Sequence, residues 1–132
     1  MCGICGEMRF DGGAVEKSLL DHMNSCLERR GPDDAGLFID GSTGFGHRRL
    51  SVIDLSEKSH QPMVDKDLDL VLVFNGAIYN YRELRTELRE KGYSFFSDGD
   101  SEVILKAWHE WGERCPEYLH GMFAFVIWDR KR

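Results

Sequence analysis

Long apolar runs are missing from this sequence: none approaches the roughly 20 residues a helix needs to cross a bilayer, and the N-terminus has neither a basic leader nor an apolar signal-type stretch. A cytoplasmic location and no membrane partner are therefore expected. Basic charge is also scarce. Against 23 Asp and Glu stand 17 Lys and Arg, for a net charge of −6, and the dense basic spots are confined to Arg29-Arg30, Arg48-Arg49 and Arg130-Lys131-Arg132. Three short clusters do not make a phosphate-tracking stripe, which excludes nucleic acid as the expected partner. No glycine-rich phosphate loop occurs, Asp11-Gly12-Gly13 being only a turn. His22, His60, His109 and His120 fall at no metal-ligand spacing, so no metal is expected; His47 reads as a structural hydrogen-bonding residue. Cysteine is sparse as well, with Cys2, Cys5, Cys26 and Cys115 expected to stay reduced. Cys2-x-x-Cys5 has the spacing of a redox dithiol or half a zinc site. No second pair follows it, and it lies within a strand instead of opening a helix, so neither use is favoured.

What is present suits one soluble domain. A chain of 132 residues buries roughly 60–70% of its unfolded surface on folding, enough for a core. Residues 2–10 read as a first strand. From Ala14 to Arg29 the apolar positions Val15, Leu19, Met23 and Leu27, with Leu20 and Cys26 beside them, predict an amphipathic helix ended by Gly31-Pro32. Gly36 to Ile39 and Gly44 to Ile53 read as a hairpin around Asp40-Gly41-Ser42, followed by a polar loop from Ser56 to about Asp67. Leu70 to Phe74 is apolar without alternation, as in a strand covered on both faces, and is expected to end at Asn75-Gly76. Asn80 and Glu83 are spaced as a capping box for a helix carrying Leu84 and Leu88. A further helix carries Val103, Ile104, Ala107, Trp108 and Trp111, and Met122 to Trp128 reads as another buried strand. The fold class is α+β, with sheets between helices. Because the last strand reads as buried, its neighbour and cover are expected to be supplied from outside this sequence.

Cys2 carries the sharpest chemical signal. Removal of Met1 would make it N-terminal, with its own α-amino group as a base. Such amines ordinarily titrate near ~7.7–8.0 and thiols near ~8.5, so an unprotonated amine can take the thiol proton at neutral pH.

In order along the chain, Cys2, Arg30-Gly31-Pro32-Asp33, Gly46-His47-Arg48-Arg49-Leu50-Ser51, Asn75-Gly76-Ala77-Ile78-Tyr79-Asn80 and Gly99-Asp100-Ser101-Glu102 resemble the class II glutamine amidotransferase domain of the asparagine synthetase family, an N-terminal-nucleophile hydrolase. The likeness runs over residues 1–132 and corresponds to the N-terminal two-thirds of that domain. It implies a four-layer αββα sandwich, incomplete at its C-terminal side. It also implies hydrolysis of L-glutamine through a Cys2 thioester, with ammonia passing to an ATP-dependent synthetase domain absent from this chain. No cofactor is implied for this domain, ATP and Mg being expected only in the synthetase domain; a homodimer is compatible with the resemblance.

Physical roles agree with the family's. Attack on a carboxamide builds negative charge on its oxygen, which the Asn75 NH₂ and the Gly76 N–H are suited to receive. Arg49 offers a forked guanidinium to the substrate's α-carboxylate, and Asp100 a carboxylate to its α-ammonium. The resemblance adds Ser51 and Val52 to the substrate pocket. Taken singly, each has a plainer reading: Cys2 as a buried thiol, Asn75-Gly76 as a turn, Asp100 as a helix cap, Arg49 on a solvated strand face. Their joint order carries the functional one. Two positions depart from the family pattern, Ala77 where many relatives have glutamate and Arg29 where a histidine is common. The segments Asn80 to Arg85 and Val103 to His109 look closer to the N-acetylglutaminylglutamine amidotransferase branch. The alternative reading is a catalytically silent amidotransferase fragment kept as an interaction or regulatory module.

Overall fold

The computed structural model describes residues 1–131; Arg132, part of the terminal basic cluster, lies outside them. Strand β3 (Thr43–Arg49) is the centre of a first sheet, antiparallel to β1 (Gly3–Met8) on one side and β2 (Asp34–Asp40) on the other. Its two faces differ in size. Gly44 and Gly46 face helix α1 (Lys17–Ser25) and admit it closely: a Cβ on Gly44 would lie 2.9 Å from Val15 and 3.1 Å from Leu20. Phe45 and His47 point the other way, toward a second sheet.

That sheet has the order β4 (Met63–Asp65), β5 (Leu70–Ile78), β6 (Gly121–Asp129), all antiparallel. The apolar run of β5 is buried on both sides, as its lack of alternation predicted. Leu70, Leu72 and Phe74 pack against helices α2 (Tyr81–Glu90) and α3 (Ser101–Trp111), while Val71 and Val73 meet Phe45 across the sheets. Each such fully buried side chain stabilises the fold by about 1.5–3 kcal/mol. The layers run helix, sheet, sheet, helices, the expected αββα sandwich. A one-turn helix α4 (Cys115–Tyr118) leads from α3 into β6.

Several local expectations are corrected. Helix α1 is shorter than the periodicity suggested, and it buries Leu20 and Asn24 while Leu19 is exposed. Val15 precedes this helix and Leu27 follows it, so the four-residue repeat runs beyond the helix at both ends. β3 ends at Arg49, well before Ile53, and the loop after Ser56 contains a 3-10 turn at Glu57–Ser59 and strand β4. Asn75-Gly76 does not end its strand: β5 continues to Ile78, with Gly76 opposite Phe123. Asn80 makes no capping bond to α2. It holds the approach to β6 instead, its Nδ2 donating to Tyr118 O at 3.0 Å and its Oδ1 accepting from His120 N at 2.9 Å. β6 is covered along one face and on the other only at its end, where Trp128 packs against the Phe45, Val71 and Val73 cluster. Phe123, Phe125 and Ile127 pack on the helical side, while Met122 and Val126 are exposed on the other.

Candidate active site

β4 pairs with β5 no further than Met63 opposite Leu72, which leaves the same edge of β5 bare from Phe74 onward. N–H groups along a strand alternate between its edges. On this edge Phe74 N donates to Gln61 Oε1 at 2.7 Å, and Ile78 N donates to Asp100 Oδ2 at 2.9 Å. The Gly76 N–H lies between them and is directed the same way, with no side chain of the described residues taking it. Gly76 has φ +152°, a conformation L side chains rarely adopt, and a Cβ there would collide with the Met122 carbonyl oxygen. Beside it, the Asn75 Oδ1 is buried without a partner.

These groups open into a cavity of about 320 Å³ whose lining includes Cys2, Arg49, Val52, Asn75, Gly76 and Asp100, with Met1 at its side. Cys2 immediately precedes β1, and its Sγ lies 3.4 Å from Leu50 N and 3.7 Å from Leu50 O. The Arg30-Gly31-Pro32-Asp33 segment braces this corner. Arg30 Nε donates to Cys2 O at 3.1 Å, a Cβ on Gly31 would overlap the Arg48 backbone, and Asp33 Oδ2 accepts from Ser51 N at 2.8 Å. The predicted pocket residue Ser51 does not line this cavity. It lines a neighbouring recess with Asp33, Asp34 and His60, outside the cavity that holds the other six.

Arg49 ends β3 and is 6% exposed. Its Nη1 donates to Ser56 O at 2.9 Å and its Nη2 donates to Asp54 O. Those bonds turn the 50–56 loop over the cavity and leave the remaining guanidinium N–H groups unassigned. Asp100, 4% exposed, begins α3 but makes no side-chain cap bond to it. The helix-cap reading is therefore set aside. Burial raises the Asp100 carboxyl above its ordinary value, partly offset by the hydrogen bond from Ile78 N. A cation arriving in the cavity would meet a carboxylate that still lacks one.

Two buried charged side chains that the sequence reading did not single out hold the loop carrying Asp100. Arg85 of α2 donates to Ser97 O at 2.7 Å and Gly99 O at 2.5 Å, and its guanidinium stacks over Phe95 at 4.4 Å. Glu102 of α3 accepts from Phe96 N and Ser97 N at 2.9 and 2.7 Å. Gln61 and Asp54 were also missed. Gln61 lies in polar loop sequence and Asp54 between Ile53 and Leu55, where no periodicity marks one residue above the next. His47 is completely buried and its Nε2 is 3.0 Å from Phe74 O, tying the first sheet to the strand that bears Asn75. That bond makes Nε2 the protonated nitrogen, and burial depresses the ring pKa to about 4. Burial likewise raises the Cys5 thiol above its ordinary value, the opposite of what a redox dithiol needs. Among the described residues no group of three or more His, Cys, Asp or Glu is placed to hold a metal ion.

The cysteine just before the first strand and the asparagine-glycine pair on the central strand of the second sheet line one cavity within four αββα layers. The solved structure of glutamine phosphoribosylpyrophosphate amidotransferase from Bacillus subtilis has the same fold, with a TM-score of 0.76 and 20% identity over 97% of this chain and 35% of that one. The chain belongs to the glutamine amidotransferase domain family, whose model matches residues 1–132. It is 42% identical over 135 residues to the glutamine-hydrolysing asparagine synthetase 3 of Bacillus subtilis, covering all of this chain and 22% of that protein. To asparagine synthetase 1 of the same organism it is 44% identical over 133 residues, covering 98% of this chain and 21% of that protein. The chain thus spans about a fifth of the length of these relatives. No helix among the described residues is long and apolar enough to cross a membrane.

Proposed function

We propose that this chain is the glutamine-hydrolysing part of an asparagine-synthetase-like amidotransferase. The observation that carries this reading is the convergence of Cys2, Asn75, Gly76, Arg49 and Asp100 on one cavity. Removal of Met1, which itself lines that cavity, frees the α-amino group of Cys2 and widens the space beside it. The Cys2 sulfur then attacks the side-chain amide carbon of glutamine while its proton passes to the α-amine. Negative charge developing on the amide oxygen falls between the Asn75 NH₂ and the Gly76 N–H, donors fixed before the reaction begins. As the C–N bond breaks, the α-amine returns a proton to the nitrogen, ammonia leaves, and a thioester remains. Water, losing a proton to the same amine, cleaves the thioester to glutamate. Asp100 holds the α-ammonium and Arg49 the α-carboxylate, with Val52 covering the chain between.

Ammonia is passed to a linked synthetase domain, where ATP and Mg are used. The test is the intact mass of the protein before and after exposure to a diazo-ketone analogue of glutamine. Loss of one methionine and a single adduct on Cys2 is expected. A trimmed protein that takes no adduct, while general thiol reagents still label it, would overturn catalysis and leave a silent amidotransferase module.

A further inference from the structure

The groups assigned to the two ends of the substrate's amino-acid head sit on separate parts of the chain. Arg49 closes β3, and Asp100 follows a loop between α2 and α3 that has no strand pairing of its own. One side chain touches the supports of both. Asp54 has φ +51°, and its backbone carbonyl accepts from Arg49 Nη2. Its Oδ1 accepts from Ser56 N at 3.0 Å and Ser56 Oγ at 2.6 Å, which sets the carbonyl of Ser56 against Arg49 Nη1. Its Oδ2 accepts from Ser59 Oγ at 2.7 Å and, across 44 residues of sequence, from Asp98 N at 3.0 Å. From the far side the same loop is gripped by Arg85 and Glu102. Asp54 is thus the near-side clamp.

We infer that Asp54 is a positioning residue that fixes the spacing between the carboxylate anchor Arg49 and the ammonium anchor Asp100, so that the site selects a substrate carrying both groups on one carbon. This rests on the glutamine reading above. Burial opposes the charge on Asp54, but the hydrogen bonds from Ser56, Ser59 and Asp98 N outweigh it and hold the carboxyl well below the usual range. The clamp is therefore charged wherever the enzyme would work. Its bonds are charge-assisted, two from backbone N–H groups and two from serine hydroxyls, which gives them angular definition as well as strength.

The experiment compares steady-state kinetics of the intact protein and its Asp54→Ala and Asp54→Asn variants on three amides. These are L-glutamine, glutaramate, which lacks the amine, and 4-aminobutanamide, which lacks the carboxylate. Asp54→Ala is expected to raise KM for glutamine about tenfold and for each single-headed analogue about threefold, with kcat within about twofold. Asp54→Asn keeps one acceptor oxygen and tolerates the positive φ, and is expected to fall between. A rise confined to one analogue, an equal rise for all three amides, or a fall in kcat with KM unchanged would overturn the inference. Asp100→Ala separates the two layers. If it fails to raise KM selectively for amides bearing the amine, the glutamine-site reading falls; if it does so and Asp54→Ala does not behave as stated, only the clamp falls.

Discussion

The two walls of the cavity are built on different principles. Asn75 and Gly76 belong to a strand fixed by pairing with β6, by apolar burial on both faces, and by His47 reaching across from the other sheet. Opposite them, the supports of Arg49 and Asp100 are irregular segments shaped by a few charged side chains that bind backbone groups: Asp54, Arg85 and Glu102. Many small repeated contributions hold the first wall and a few large directional ones the second. The division suits the proposed chemistry. Donors to a developing oxyanion must be fixed in advance and far from solvent rearrangement, whereas the groups that admit and release substrate need segments that open locally without unfolding the core.

Removing a donor from the strand wall should have the largest effect. Asn75→Ala is expected to lower kcat for glutamine about 10²- to 10³-fold with little change in KM; a raised KM at unchanged kcat would move Asn75 to the recognition side. A change on the loop wall should split function from stability. Asp100→Asn keeps an acceptor for Ile78 N but loses the charge, so KM for glutamine should rise roughly tenfold or more. The same variant should melt a few degrees higher at pH 7. Because the folded carboxyl has a raised pKa, the native state binds more protons than the unfolded chain in the window above the ordinary carboxylate value. Stability is therefore lost as pH rises through that window. Thermal melts at pH 3 and pH 7 check the sign, since the gain should vanish at the lower pH.

The smallest expected effect joins the walls. His47 in the native state titrates near 4 instead of 6.5, so between those values the unfolded chain binds the extra proton and stability falls as pH drops. His47→Gln can still donate to the Phe74 carbonyl and does not titrate. Its melting temperature should fall less between pH 6.5 and pH 4 than that of the parent, and an identical slope would show that acid sensitivity arises elsewhere.

The strand wall was largely legible in the sequence and the loop wall was not. Leu70 to Phe74 announces a doubly covered strand because burial on both faces demands an unbroken apolar run, and six of the seven proposed site residues do share one cavity. Ser51 does not, since a strand's direction can be read from periodicity but the bend after its last residue depends on a contact 18 positions away. Asn75-Gly76 resembles a turn dipeptide because nothing local tells that β6 will continue alongside it. The apolar run of β6 misled in the opposite sense: one of its faces meets helices, and the other is left uncovered at Met122 and Val126. Asp54, Gln61 and Arg85 act through backbone groups 12 or more positions away, a form of contact that composition and spacing do not encode.

The collision that a side chain on Gly76 would make with Met122, and that one on Gly121 would make with Ala77, means that β6 is dovetailed against the very residues that present the cavity's backbone donor. Among the described residues β6 is the outer strand of its sheet, and its detachment would put that donor out of place. By reciprocity of linked equilibria, a molecule held by Gly76 must oppose that detachment to the same extent. Occupancy of the cavity should therefore be visible at a distance, as slowed hydrogen exchange along residues 123–129, beyond Met122, which itself lines the cavity.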